Sequence, residues 1–193
     1  MDNFHGAEDS TPIDDISGLI PGHISTKKEL DVWEAENVLH AVSKYLSKKT
    51  AFELSEKTIK GVHKEMFGAT WKWAGAFRRK VLNIGIAPEQ IGVEIKKLID
   101  DSKYWSENKM QVLEQAVRIH HRLVMIHPFE NGNGRHARLV SDIILFTAGH
   151  AMPKWPDKDM VDNTDIRKEY IKALKEADKG DFDPLMKFTD NLI

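Results

Sequence analysis

The sequence predicts a mainly α-helical single domain with one small β-hairpin, and three observations carry that expectation. Apolar residues recur at three- and four-residue spacing through most of the chain. Helix-start and helix-stop residues bracket those runs. One aromatic, β-branched and glycine-broken stretch, TWKWAGAFRRKVLNIGIAP, interrupts them without helical period. At 193 residues, with 41% hydrophobic and 30% charged, the chain is long enough to bury a substantial core.

Residues 1–24 hold Gly, Pro, Ser and Asp without periodicity and read as an irregular arm; residues 25–193 read as one domain. Thr26-Lys27-Lys28-Glu29 has the form of a capping box. Leu30, Trp33, Asn37, Val38, Ala41, Val42 and Tyr45 then follow at helical spacing, which predicts a first helix to about residue 47. A second helix is expected from Ser55 to Met66, with Ile59, Val62 and Met66 on one face and Gly68 as its stop. The interrupting stretch predicts a packed loop leading to a hairpin around Lys80 to Ile86. Pro88 suits the first turn of a helix carrying Ile91, Ile95, Leu98 and Ile99.

Val112, Ala116, Ile119, Leu123 and Ile126 form a one-face helical pattern that Pro128 should end, because it disfavours α geometry at His127. The segment RLVSDIILFTAG is apolar on most faces and belongs in the middle of the domain. Thr164 is a candidate cap for a helix with Tyr170, Ile171 and Leu174. Asp183-Pro184 reads as the cap and first turn of a last short helix.

The formal net charge of −2 gives no bulk electrostatic sign of nucleic-acid binding. Without cysteine there are neither disulfides nor thiolate metal sites. The acidic, polar beginning MDNFHGAEDSTPIDD is unlike a secretory signal, and no apolar run approaches membrane-spanning length, so a cytoplasmic protein is expected.

The chemistry concentrates in residues 127–138, HPFENGNGRHAR. Gly132-Asn133-Gly134 permits positive φ or close backbone approach just before a helix, where N–H donors and the helix dipole attract an anion. Arg135 and Arg138, at i and i+3, add guanidinium forks suited to phosphate. His127, at the other lip of the loop, can move a proton near neutral pH. Phe129 is the expected anchor of the loop in the core. A plain helical corner with turn glycines and solvated arginines is the bland alternative, and this concentration of parts outweighs it.

HPFENGNGRHAR resembles the signature of the Fic family, HPFx(D/E)GNGRxxR, and VHKEMFGATWKWAGAFR is similar to the segment before the flap hairpin of Fic domains. The likeness covers about residues 55–190 as the core, with residues 25–48 as an inhibitory helix; the nearest subfamily in pattern is mobile mystery protein B. The resemblance implies a helical Fic domain that transfers AMP from ATP, or from another nucleoside triphosphate, to a Ser, Thr or Tyr hydroxyl of a target protein or of itself. Carried over by position, His127 is the general base. The backbone around Gly132, Asn133 and Gly134 holds the α- and β-phosphates. Arg135 neutralises the departing pyrophosphate, and Arg138 holds the γ-phosphate.

Val81, Leu82, Asn83 and Ile84 correspond to the flap that aligns a target by strand pairing. From the residues alone, an ordinary surface turn is an equal alternative there.

Asn131 stands where the family has a carboxylate for Mg2+, and a neutral amide is a weaker ligand for that ion. A silent nucleotide- or phosphate-binding module is therefore the rival function. The family's inhibitory pattern (S/T)xxxE(G/N) is met at Glu36-Asn37, with Val32 in place of Ser or Thr, which points to Glu36 facing Arg138. A solvent-exposed helix glutamate is the plain alternative. Oligomerisation is left open.

Other constellations are weaker. His120 and His121 diverge on a helix by about 100°, so a metal site with His127 and His136 is a minor reading. Trp71 and Trp73 read as packing. Arg78, Arg79 and Lys80 read as a solvated basic turn, with contact to a target or nucleotide beside a flap as the alternative.

Overall fold

In the computed structural model, which describes residues 18–24, 26–156 and 164–193, Thr26 opens the first helix. Its hydroxyl accepts the Glu29 N–H at 3.3 Å, and the Glu29 carboxylate accepts the Thr26 N–H at 3.0 Å. Two donors that a helix start leaves orphaned are thereby satisfied, and α1 runs Lys27–Leu46. Ser55 and Thr58 repeat the device at the start of α2, Glu56–Phe67, which Gly68 closes.

A 3-10 turn over Pro88–Gln90 leads into α3, Ile91–Glu107. Then come α4, Val112–Ile126, and α5, Asn133–Thr147. Thr164 caps α6, Asp165–Ala177, by accepting the Arg167 N–H at 3.2 Å. The final helix, α7, is Asp183–Asp190; Asp183 is already helical, and Phe182 takes the cap position without a side-chain hydrogen bond.

Two clusters of apolar side chains hold these helices together. The larger joins α1 to α5 through residues such as Leu30, Ile59, Met66, Ile95, Leu123 and Ile143. The smaller ties α6 and α7 to α4 through Val117, Tyr170, Leu174, Leu185 and Phe188. Each such aliphatic or aromatic side chain contributes about 1.5–3 kcal/mol on burial. α5 is buried on most sides, from His136 to Ile143, as its apolar composition demands. It therefore lies between the other helices, and its N-terminus is fixed by packing on several fronts. None of the described helices is long and apolar enough to cross a membrane.

The predicted hairpin is absent among the described residues. Burial alternates along 81–86 as a strand would, yet no ladder forms, and the one β-bridge described pairs Leu19 with Trp71. The backbone groups of this loop find other partners. Arg78 donates to the carbonyls of Lys80 and Ile86, and the Ile86 N–H reaches the Ile126 carbonyl at 3.4 Å. The groups at both ends of the loop are thus engaged by one guanidinium and a helix end rather than by each other.

Most of the arm expected over 1–24 lies outside the described residues. Its last part docks on the segment after α2, where Lys72 N–H donates to Gly18 O at 2.9 Å and Ile20 N–H to Thr70 O at 2.8 Å.

Candidate active site

α4 stops at Ile126 because Pro128 follows, and His127 turns the chain in the left-handed region with φ 53° and ψ 61°. That conformation costs a non-glycine residue about 1–2 kcal/mol, so neighbouring contacts must hold it. The His127 N–H donates to Leu123 O at 3.0 Å, and the His127 carbonyl accepts from Arg78 Nε at 2.7 Å. A ring N–H of His127 donates to the Val124 carbonyl, which fixes the imidazole against the last turn of α4. Burial pushes its pKa down to about 4, and the nearby Arg78 guanidinium acts in the same direction. At neutral pH the ring is therefore uncharged, with its second nitrogen an acceptor.

The loop that follows is locked from inside. Phe129 is fully buried, and the His63 ring stacks on it with centroids 3.7 Å apart. The Asn133 side chain accepts the Phe129 N–H and donates to the Phe129 carbonyl, both at 2.9 Å, clamping the loop like a miniature backbone pair. His63 Nε2 donates to Asn131 O at 3.0 Å while Nδ1 accepts the Gly75 N–H at 3.0 Å, an arrangement that needs the neutral ring. Burial drives the His63 pKa well below its ordinary value, in agreement. Gly132 has φ 75°, and a Cβ there would lie 2.5 Å from the Phe67 ring. With Gly132 as its cap, α5 begins without a side-chain hydrogen bond, so the N–H groups of its first turn are presented beside Asn133 and Gly134 where an anion is favoured.

The two arginines part company. Arg135 lies over the Phe67 ring at 4.8 Å and pairs with Glu34 of α1 at 2.8 Å. The buried Glu34 carboxylate also accepts the Trp71 indole N–H at 2.6 Å. Arg138 is buried and turned toward α6, where its charge acts on the Tyr170 hydroxyl and it lies 5.7 Å from the Trp155 ring. Tyr170 in turn bonds His120 Nε2 at 2.8 Å. Glu36 is exposed on α1, so the carboxylate that meets a motif arginine is Glu34 and the arginine is Arg135. Two residues along a helix rotate the side chain by about 200°, which takes Glu36 away from α5 when Glu34 faces it.

At position 131 the loop offers magnesium an amide in place of a carboxylate. Asn131 Oδ1 accepts the Gly132 N–H at 2.7 Å, and Glu130 is 3.6 Å from Lys80. The residues present do not fit the acidic ligand that a hard cation prefers. The histidines disperse as well: His121 bonds Asp178 at 2.8 Å and His136 bonds the Ile59 carbonyl at 2.9 Å. Among the described residues no group of three or more His, Asp or Glu is gathered for a metal.

Val81 is 81% exposed, while Leu82 and Ile84 are half-buried. Behind it sits Arg78, buried rather than solvated, which the sequence reading missed along with Glu34, His63 and Tyr170. For Arg78 a signal existed in its place between aromatic Phe77 and the motif-facing loop. For the others no local pattern separates a site residue from a core one.

The sequence pattern of the Fic/DOC family matches residues 53–145. A protein adenylyltransferase, fic-1 of Caenorhabditis briggsae, is 29% identical over 175 residues, covering 88% of this chain and 33% of its own length. The chain thus spans about a third of the length of that curated relative and of its Caenorhabditis elegans counterpart. The structure of Fic-1 residues 134–508 from C. elegans superposes with a TM-score of 0.68 at 26% identity, over 91% of this chain and 52% of that one. BepC from Bartonella tribocorum, solved with bound AMPPNP, gives a TM-score of 0.70 at 17% identity over 92% of this chain and 96% of that one, a likeness of fold.

Proposed function

We propose, from the match of residues 53–145 to the Fic/DOC family, that the protein is an adenylyltransferase that moves AMP from ATP to a Ser, Thr or Tyr hydroxyl of a protein. The observation that carries this reading is the neutral imidazole of His127, held by Val124 at the lip of a loop whose other lip is the N-terminus of α5. In the reaction the target hydroxyl oxygen attacks the α-phosphorus, the bond to the β-phosphate oxygen breaks, and pyrophosphate departs. His127 accepts the hydroxyl proton, a role its depressed pKa leaves available at neutral pH. The backbone of Gly132, Asn133 and Gly134 binds the α- and β-phosphates, Arg135 neutralises the leaving group, and Arg138 receives the γ-phosphate. Positioning and charge stabilisation supply most of the rate in such chemistry. The named activity of the relatives and the AMPPNP held by BepC support the choice of nucleotide.

In this reading α1 is an inhibitory element upon a catalytic core of residues 55–190. Glu34 occupies the fork of Arg135 at 2.8 Å, so a phosphate must displace a carboxylate to use it. A silent nucleotide-binding module is the second reading, favoured by the absence of a carboxylate at Asn131.

Incubation with α-labelled ATP followed by mass spectrometry of the protein and of added cell lysate separates the two. An AMP mass increment that grows in Glu34→Ala and vanishes in Glu34→Ala/His127→Ala is the expected result. ATP binding without any increment, in both backgrounds, would leave the binding module standing instead.

A further inference from the structure

Arg78 is 2% exposed and faces no carboxylate in any described ion pair; backbone carbonyls take its charge. Nε donates to His127 O at 2.7 Å, Nη1 to Lys80 O at 2.8 Å, and Nη2 to Ile86 O at 2.5 Å. Its own N–H donates to Pro128 O at 2.9 Å. One planar fork thus grips both ends of the 80–86 loop and the residue that carries the imidazole.

Gly85 makes the same junction close. A Cβ there would stand 2.4 Å from the His127 Cβ and 2.9 Å from Arg78 Nη2, and its φ of +89° excludes ordinary side chains. The loop backbone therefore lies directly on the imidazole-bearing residue, with the guanidinium stitched through. A buried cation is costly to desolvate, and several carbonyl partners in fixed directions are what offset that cost. A lysine could reach one of these carbonyls and not three in divergent directions.

We infer that Arg78 is a positioning residue that sets the 80–86 loop in register with His127, so that a protein segment laid along Val81–Ile84 meets the imidazole at a fixed distance. This rests on the adenylyl-transfer reading for what the register is used for; the anchoring itself is a matter of hydrogen bonds. The phosphate-facing parts, the α5 N-terminus and Arg135, make no described contact with Arg78, so nucleotide binding does not depend on it. Loss of the fork acts on the placement of the acceptor hydroxyl relative to His127, whose backbone the same fork holds.

The test compares the full chain carrying Glu34→Ala, as parent, with the same chain carrying Arg78→Lys or Arg78→Ala in addition. Self-labelling by α-labelled ATP, affinity for AMPPNP by calorimetry, and amide hydrogen exchange along 80–86 are measured on each. The expected result for Arg78→Lys is labelling slowed at least tenfold, AMPPNP affinity within twofold of the parent, and exchange over 80–86 at least tenfold faster with α2 and α5 unchanged. Arg78→Ala should show the same pattern more strongly; if it fails to fold, Arg78→Lys decides.

Parent-like labelling, or a loss of AMPPNP affinity as large as the loss of labelling, would overturn the inference. So would unchanged exchange over 80–86. A parent that never labels would sink the adenylyl-transfer reading, and the exchange result then decides the anchoring on its own.

Discussion

Gly132 and Gly85 are positions where the backbone admits one residue type. Both have positive φ, and at both a Cβ would run into a neighbour that cannot retreat: the Phe67 ring at 2.5 Å and the His127 Cβ at 2.4 Å. Gly132→Ala combines left-handed strain with overpacking against a fully buried ring, a loss of about 2–4 kcal/mol. Urea unfolding should show it as a lower midpoint, whereas Gly61→Ala, in open space on α2, should leave the midpoint unchanged or raise it. Equal midpoints for Gly132→Ala and the parent would mean that the loop relaxes away from Phe67. Asn131 adds a second residue-scale test. Asn131→Asp restores the acidic oxygen that a magnesium ion prefers, so binding of ATP should become more dependent on magnesium than in the parent. Titrations with ATP at zero and millimolar magnesium read this directly, and an identical magnesium response in both proteins would count against it.

At the scale of elements, α1 is held to the motif helix by a contact that is both structural and functional. Glu34 joins Arg135 to the Trp71 indole, and the pair is buried on the glutamate side, with side-chain exposure of 4% against 31% for the arginine. Removing the carboxylate leaves the Trp71 N–H without its acceptor, which costs about 1–3 kcal/mol. Glu34→Ala is therefore expected to melt several degrees lower while labelling faster, a combination that neither a purely structural nor a purely regulatory residue would give. Glu36→Gly places a glycine in the same helix, at about 1 kcal/mol, without touching Arg135. Thermal melts and labelling rates of the two variants, measured side by side, make the comparison. Faster labelling in Glu36→Gly and not in Glu34→Ala would return the inhibitory role to Glu36.

Across the whole molecule, stability is tied to histidines that are buried neutral. Burial lowers the pKa of His120 to about 3 and those of His127 and His136 to about 4, from an ordinary 6.5. His63 moves in the same direction. Above pH 6.5 neither the folded nor the unfolded chain protonates these rings, and their contribution is whole. Below it the unfolded chain takes up protons that the folded one refuses, so stability falls as pH drops toward about 4. The slope is about 1.4 kcal/mol per pH unit for each such histidine. Calorimetric Tm values should be level from pH 8 to 7 and fall steeply below 6.5. A Tm unchanged down to pH 5 would show that the rings reach solvent. The transfer reaction should keep its base over the same range, since His127 is still unprotonated at pH 5.

The helix starts at Thr26, Ser55 and Thr164, the stop before Pro128 and the burial of α5 were all legible in the residues, because caps and apolar periods act within four residues of themselves. So was the motif from His127 to Arg138, whose parts are neighbours in the chain. Tertiary structure alone decided which glutamate meets an arginine, since helix rotation sets that and a two-residue shift turns a side chain to the opposite face. It also decided that Arg138 turns to Tyr170. And it set aside the hairpin, because the Lys80 and Ile86 groups at the ends of that loop bond to Arg78 and to the Ile126 carbonyl, forty residues on, where no local pattern reaches.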